Sequence, residues 1–389
     1  MKNKRLYIIS CFTLLIVTGL FSCKKNEPGV ADNFLNYSIP DVPVTSNYTV
    51  GAFYYTFGSF NANITQKPTV GGPGPYFYAN GIPALGTTAA PILTPAIMNQ
   101  HVADAQLAKI DYFIFSVRSP NLDNTNFKAD SNAIVSFLNA ANSSKMNFAI
   151  SYNLNIGLFG VTNSGGTSGN GVTIETNAAK LTTFYNDFKR LAYWMTKSNY
   201  QKVNGKYLIV INNAQDLNSN SNATLYKQIR TNLSAMGFEL YIVGMQNRWS
   251  PPERFFYRFQ SCTDAMYEDN MSDYAGDIDR YNLFPQMCDQ NFAYWKTTVE
   301  SWNQEFIPCV MAGYNYQIAN STSSNLSVQR TADGAYYKTF TNIAKRNASK
   351  SRLIFINSFN NFSVDSQIEP TQGYGNVYLD LTRTGFKVN

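Results

Sequence analysis

The feature that most constrains this chain is an alternation. Eight short runs of apolar, β-branched or aromatic residues recur at 50–55, 110–116, 147–152, 207–211, 239–243, 264–267, 306–311 and 353–357. Runs of that length and content read as strands. The stretches between them, 94–109, 128–144, 176–198, 223–236, 251–259, 289–303 and 327–350, have helical length and spacing compatible with one apolar face. Thr94-Pro95 marks one start, a cap hydroxyl before a proline at the first helical position. Strands alternating with helices predict an α/β fold with a parallel sheet, and eight such units close most economically into a (β/α)8 TIM barrel. The sixth run is short and poor in branched residues. Without it, an open doubly wound sheet is the competing architecture.

A barrel places its chemistry where strands end and βα-loops begin. The predicted ends carry Tyr55, Ser116 and Arg118, Tyr152 and Asn153, Asn212 and Asn213, then Gln246, Asn247, Arg248 and Trp249. Glu268, Asp269 and Asn270 follow, and the last two units add Tyr314, Asn315, Asn360 and Asn361. Tyrosine, asparagine and arginine gathered on one rim describe a sugar-binding cleft, because rings stack on the C–H faces of sugars and amides pair with their hydroxyls. The aromatic content of 15%, with 26 tyrosines and 27 phenylalanines, points the same way. An aromatic-rich core with polar, solvated loops is the plainer reading of the same residues.

The first residues address the chain. Lys2, Lys4 and Arg5 precede an apolar stretch over 6–20 that ends in Phe21-Ser22-Cys23, the layout of a signal peptide. The apolar stretch is shorter than the roughly 20 residues of a spanning helix. Leu20-Phe21-Ser22-Cys23 resembles a lipobox, so residues 1–22 are expected to be removed and Cys23 to carry lipid. Residues 23–46 are polar, carry prolines and lack a packing period, as a flexible tether would. That leaves 47–389 for the barrel and predicts an exported protein, lipid-anchored to the outer membrane and displayed at the cell surface.

Other chemistries are poorly supplied. The removed segment holds three basic residues and no acid, taking the formal charge from +6 to +3, too mild for nucleic-acid binding. Cys262, Cys288 and Cys309 remain after processing, enough for one disulfide, with Cys262 and Cys288 the readiest pair. No zinc spacing occurs, and no metal or cofactor is predicted. His101 is the single histidine and lies in a predicted helix away from the rim, which argues for a helix-surface or packing role and against a Ser-His-Asp triad. The glycine-rich stretches 71–75 and 164–171 lack the Gly-Lys-Ser/Thr ending of a phosphate loop and read as rim loops.

The last strand reads Phe355-Ile-Asn-Ser-Phe-Asn-Asn-Phe-Ser-Val-Asp-Ser-Gln-Ile-Glu-Pro370, then Gly373-Tyr-Gly and Tyr378-Leu379. This resembles glycoside hydrolase family 99, and also its relative family 71, in which a strand ending in Ser-Phe/Trp-Asn leads into Glu-Trp-His/Asn-Glu-Gly-Thr and Gln-Ile-Glu-Pro. Val50-Gly-Ala-Phe-Tyr-Tyr55, Leu85-Gly86 with Lys109-Ile-Asp-Tyr-Phe-Ile-Phe-Ser116, Val203-Asn-Gly-Lys-Tyr207, Phe306-Ile-Pro and Gly313-Tyr-Asn315 are similar to other strands of that family. The resemblance implies a barrel and a sugar context. It also implies two catalytic glutamates, one assisting attack by the sugar's own 2-hydroxyl and one protonating the leaving oxygen. Aligning Ser358-Phe-Asn360 and Gln367-Ile-Glu-Pro370 puts Asn361 and Val364 at those positions. An amide cannot take the proton, and an isopropyl group neither donates nor accepts one.

Two main readings follow. In the first, a cell-surface lipoprotein binds polysaccharide through a glycosidase-like barrel that has lost its catalytic pair. In the second, an endo-acting hydrolase of an α-mannan-like substrate uses relocated acids, with Asp365, Glu268 and Asp269 as candidates. Two carboxyls about 5 to 9.5 Å apart would be required, and solvated loop acids or sugar acceptors are the plainer account of those three. A third reading makes the protein an assembly partner of an outer-membrane glycan importer.

Overall fold

A computed structural model describes residues 35–56, 84–85, 93–162, 171–269, 271, 283–318, 328 and 330–388. The signal segment and Cys23 lie outside the described residues, as do Asn270 and both glycine-rich stretches apart from Gly171. Backbone contacts divide the chain into Met1–Ser38 and Ile39–Asn389. In the first unit the described residues form a turn, with the Tyr37 amide donating to the Leu35 carbonyl at 3.0 Å. Among the described residues no helix is long and apolar enough to cross a membrane.

The second unit holds strands β1 (Thr49–Tyr54), β2 (Tyr112–Val117), β3 (Asn147–Asn153), β4 (Lys202–Val203), β5 (Lys206–Asn212), β6 (Leu240–Gln246), β7 (Ala265–Glu268), β8 (Glu305–Phe306), β9 (Cys309–Val310) and β10 (Leu353–Ile356). Hydrogen-bonded order is β8-β7-β6-β5-β3-β2-β1-β10-β9, with β4 paired antiparallel to β5 and every other pairing parallel. β8 and β9 are the two halves of the predicted seventh strand, interrupted by Pro308, which has no N–H for a ladder. One half bonds to β7 and the other to β10, so the ring closes across the break. This is the expected (β/α)8 architecture. The weak sixth run is a real strand, β7, paired with β6 from Val243↔Ala265 to Gln246↔Glu268.

Helices α1 (Pro95–Leu107), α2 (Asn124–Leu138), α3 (Ala178–Met195), α4 (Asn222–Ser234), α5 (Phe256–Phe259), α6 (Phe284–Ser301), α7 (Ala335–Asn347) and α8 (Val377–Phe386) follow the strands. Thr94 caps α1 as its sequence predicts, its hydroxyl accepting from the Ile97 amide at 3.3 Å. Two elements were not foreseen: α8, and the β4–β5 hairpin turned by Asn204-Gly205 with φ of 50° and 79°.

Strand side chains alternate between two cores. Outward residues such as Tyr54, Phe113, Phe115 and Phe148 pack under the helices, whereas Phe53, Tyr112, Val210, Tyr267 and Phe355 fill the ring. Inside, Phe53, Tyr267 and Phe355 have centroids 5.3 to 5.6 Å apart. Position 51 shares the inward side of β1 with Phe53, and glycine stands there because a Cβ would lie 2.4 Å from the Tyr112 ring.

Two expectations are corrected. Cys262 and Cys288 do not pair; both are buried free thiols, as is Cys309. Part of the stretch read as tether is fixed to the barrel: Asn342 donates to Asp41 at 2.8 Å, Lys345 to the Val42 carbonyl at 2.7 Å and Arg352 to the Ser46 carbonyl at 2.7 Å.

Candidate functional site

The C-terminal ends of the strands form the mouth of the ring. Strand parity sends Tyr55, Asp269 and Asn357 inward, and they bond to one another: the Tyr55 hydroxyl donates to Asn357 Oδ1 at 3.1 Å, and Asn357 Nδ2 donates to Asp269 Oδ1 at 3.1 Å. Arg248 closes the group 3.5 Å from Asp269 Oδ2. Beneath it the Tyr267 hydroxyl donates to Asn212 Oδ1 at 2.6 Å. Burial, reinforced by Asp269, pushes the Tyr55 phenol well above its usual range, so it stays a neutral hydrogen-bonding group.

Beside this group a cleft of about 320 Å³ opens over the ends of β2, β3 and β5, lined among others by Arg118, Asp123, Asn153, Asn213 and Asp216. Asn213 Nδ2 lies 3.5 Å from Asn153 Oδ1 and 3.3 Å from the Leu154 carbonyl. Arg118 is held by both oxygens of buried Asp130, through Nε at 3.0 Å and Nη2 at 2.7 Å, which fixes the guanidinium in the cleft wall. Asn247 is exposed just after β6 and accepts from Gln215 Nε2 at 3.1 Å. Amides, a guanidinium and carboxylates converge here without a large apolar surface.

Other predicted rim residues brace loops. Tyr152 faces outward and donates to Asp187 at 2.7 Å. Gln246 also faces outward, donating to the Pro251 carbonyl at 2.9 Å. Trp249 packs against the outer core and donates to the Met271 carbonyl at 2.8 Å. Asn360 is fully buried and clamps the Tyr55 backbone, accepting from its N–H at 2.8 Å and donating to its carbonyl at 3.0 Å. Tyr314 and Asn315 are buried; the Asn315 amide donates to the Val364 carbonyl at 2.6 Å.

The three candidate acids part company. Asp269 reaches the mouth. Glu268, one residue earlier, faces α6 and is fully buried, taking a hydrogen bond from Asn291; burial raises its carboxyl well above the usual glutamate range. Asp365 is buried behind the eighth-strand loop, bonded to Arg330 at 3.2 Å and to Gln367 at 3.1 Å. Arg330 in turn lies over the Tyr378 ring of α8 at 4.3 Å. The rim placement expected for Glu268 and Asp365 is therefore corrected. Asn361 and Val364 are partly exposed in the same loop, and the Asn361 side chain accepts from Ser363 at 2.5 Å.

His101 is a packing residue and is not on a helix surface. It is fully buried on α1, with Nδ1 2.7 Å from the Tyr54 hydroxyl and Nε2 3.3 Å from Glu369. Among the described residues no group of three or more His, Cys, Asp or Glu is arranged to hold a metal ion. The site residues missed from sequence are Asn357, Tyr267, Asp123 and Asp216. Tyr267 stands two positions before Asp269 and so shares its side of β7, a signal that the sequence does carry.

The family described as "Glycosyltransferase WbsX" matches residues 170–382, more than half of the chain. The chain belongs to this family. Its barrel is also similar to solved structures. A "Glycoside hydrolase-like protein" shares 25% identity at a TM-score of 0.77, covering 92% of this chain and 99% of that one. The GH99 endo-alpha-mannosidase of Bacteroides thetaiotaomicron, in complex with BIS-TRIS-propane, shares 17% at 0.59, covering 88% and 97%. A GH5_18 protein of Bifidobacterium longum subsp. infantis shares 9% at 0.52, covering 87% and 79%. No curated protein matches. This WbsX-family protein thus has the glycosidase-like barrel that the resemblance to family 99 implied, and family and fold together give it a carbohydrate-related role.

Proposed function

We propose that this WbsX-family chain is a cell-surface lipoprotein that binds polysaccharide across the barrel mouth without running the family 99 reaction. One observation carries the reading. Tyr55, Asn153, Asn213, Arg118 and Asn357 converge at the mouth and its cleft, while Asn361 and Val364 occupy the places of the two glutamates. Binding needs rings, amides and fixed charges, and loses nothing by those replacements. The signal-like segment and Cys23 supply the anchor, and a tethered receptor suits a polymer that arrives at the cell.

Affinity electrophoresis of the soluble chain against α-mannan, xylan, laminarin and pectin tests this. Retardation by at least one polymer is expected, weakened by Asn153→Ala and Asn213→Ala. Each lost amide contact is worth about 1 kcal/mol, or roughly fivefold in affinity. A chain that no glycan retards is not a glycan-binding protein.

A second reading, an endo-acting hydrolase, is favoured by Asp269 at the mouth and Asp216 in the adjoining cleft. Reducing ends released from a polysaccharide, and lost in Asp269→Asn, would establish it.

A further inference from the structure

We propose that a second carbohydrate site lies on the face of the barrel opposite the mouth, in the groove where α2 and α3 end; this rests on the polysaccharide reading. The groove holds about 630 Å³ and is bounded by the last turns of both helices and by the loops 139–146 and 196–199 that lead into the next strands. Strands begin at this end, so the groove is separate from the mouth.

Tyr193 is its platform, a ring 57% exposed on the last turn of α3. Two neighbours brace the ring. The Lys197 ammonium sits 4.3 Å from its centroid and donates to its hydroxyl at 3.1 Å, and buried Trp194 packs edge-to-face at 5.1 Å. A ring braced by neighbours loses less entropy when a flat ligand stacks on it than an unsupported one does. Val135 and Leu138 on α2 form the facing apolar wall. The remaining lining is hydroxyl and amide, including exposed Asn139, Ser144 and Ser198. Asn199 ties the two loops together, donating to the Ser143 carbonyl at 3.2 Å and the Met146 carbonyl at 3.0 Å.

This mixture selects the ligand's chemistry. A pyranose has an apolar C–H face for the ring and a girdle of hydroxyls for Asn139, Ser144 and Ser198. An acidic ligand would find one cation in the lining, Lys197, already committed to the Tyr193 ring and hydroxyl. The groove therefore fits a neutral stretch of polysaccharide and is a second hold on any polymer long enough to pass from the mouth to this face.

Affinity electrophoresis of the soluble chain, Tyr193→Ala, Tyr193→Phe and the mouth variant Asn153→Ala/Asn213→Ala tests the assignment on the same four polysaccharides. Tyr193→Ala should weaken retardation about threefold, with Tyr193→Phe near the parent and an unchanged melting temperature confirming intact folding. Full retardation in Tyr193→Ala overturns the groove and leaves the mouth reading standing. Loss in Tyr193→Ala with none in the mouth variant supports the groove and overturns the mouth. A parent chain retarded by no polymer overturns both.

Discussion

Glu268 and Asp269 are neighbours in sequence and stand on opposite sides of one strand, and that parity decides their chemistry. Packed between its strand and α6, Glu268 has its carboxyl raised well above the ordinary glutamate range by burial, with the Asn291 hydrogen bond only partly opposing. The folded state binds the carboxyl proton more tightly than the unfolded chain does. Its contribution to stability is therefore complete below the ordinary glutamate pKa and is lost as pH rises toward the folded value. Glu268→Gln keeps the shape and removes the titration, so its melting temperature should gain on the parent's as pH rises above about 4. Parallel curves would mean that Glu268 is not held protonated. Arg330 behaves differently: truncation to Ala leaves Asp365 buried without its cation, an expected loss of about 3 to 5 kcal/mol in chemical denaturation. Adding Asp365→Asn should recover part of it. Strand ends were legible from the sequence, but the side each residue faces was not. Both faces of a barrel strand are apolar, so the alternation that would mark an inward residue is absent. Tyr152, Gln246 and Glu268 were assigned to the rim for that reason.

At the scale of elements, the eight strands could be read because each is a compact apolar run between helix-length segments, and even short β7 stands where the alternation requires it. Helix α8 escaped because Val377–Phe386 contains two threonines and a glycine, weak helix formers that obscure its period. It forms because Tyr378, Leu379 and Phe386 bury against the outer core. The eighth-strand loop was legible as a motif but not as a brace, since the Asn360 clamp on the Tyr55 backbone joins residues 305 apart. Asn360→Ala removes both hydrogen bonds that clamp the Tyr55 backbone and should cost about 1 to 3 kcal/mol by denaturant titration. Gly51→Ala should destabilise β1 by about 1 to 3 kcal/mol by pressing on the Tyr112 ring. Tyr112→Ala in the same chain should make the two costs less than additive.

Across the whole molecule, the barrel begins before the strand pattern announces it. The hydrogen bonds to Asp41, Val42 and Ser46 predict that a chain starting at Ile39 melts with one starting at Cys23, whereas one starting at Asn47 melts several degrees lower. Cys23→Ala should release the protein from membranes and abolish palmitate labelling, the direct check on the proposed anchor. The break at Pro308 has a consequence of its own. A ring strand normally shares its hydrogen bonds with neighbours on both sides, but here each half leans on one neighbour only. The barrel thus carries a seam, a line along which local opening is cheapest. Cys309, sealed inside the ring at 1% exposure, lies on that line and reports on it. A thiol reagent should reach Cys309 sooner than equally buried Cys288 on α6, and a polymer seated across the mouth should slow that reaction, turning a proline's missing hydrogen into a clock for occupancy.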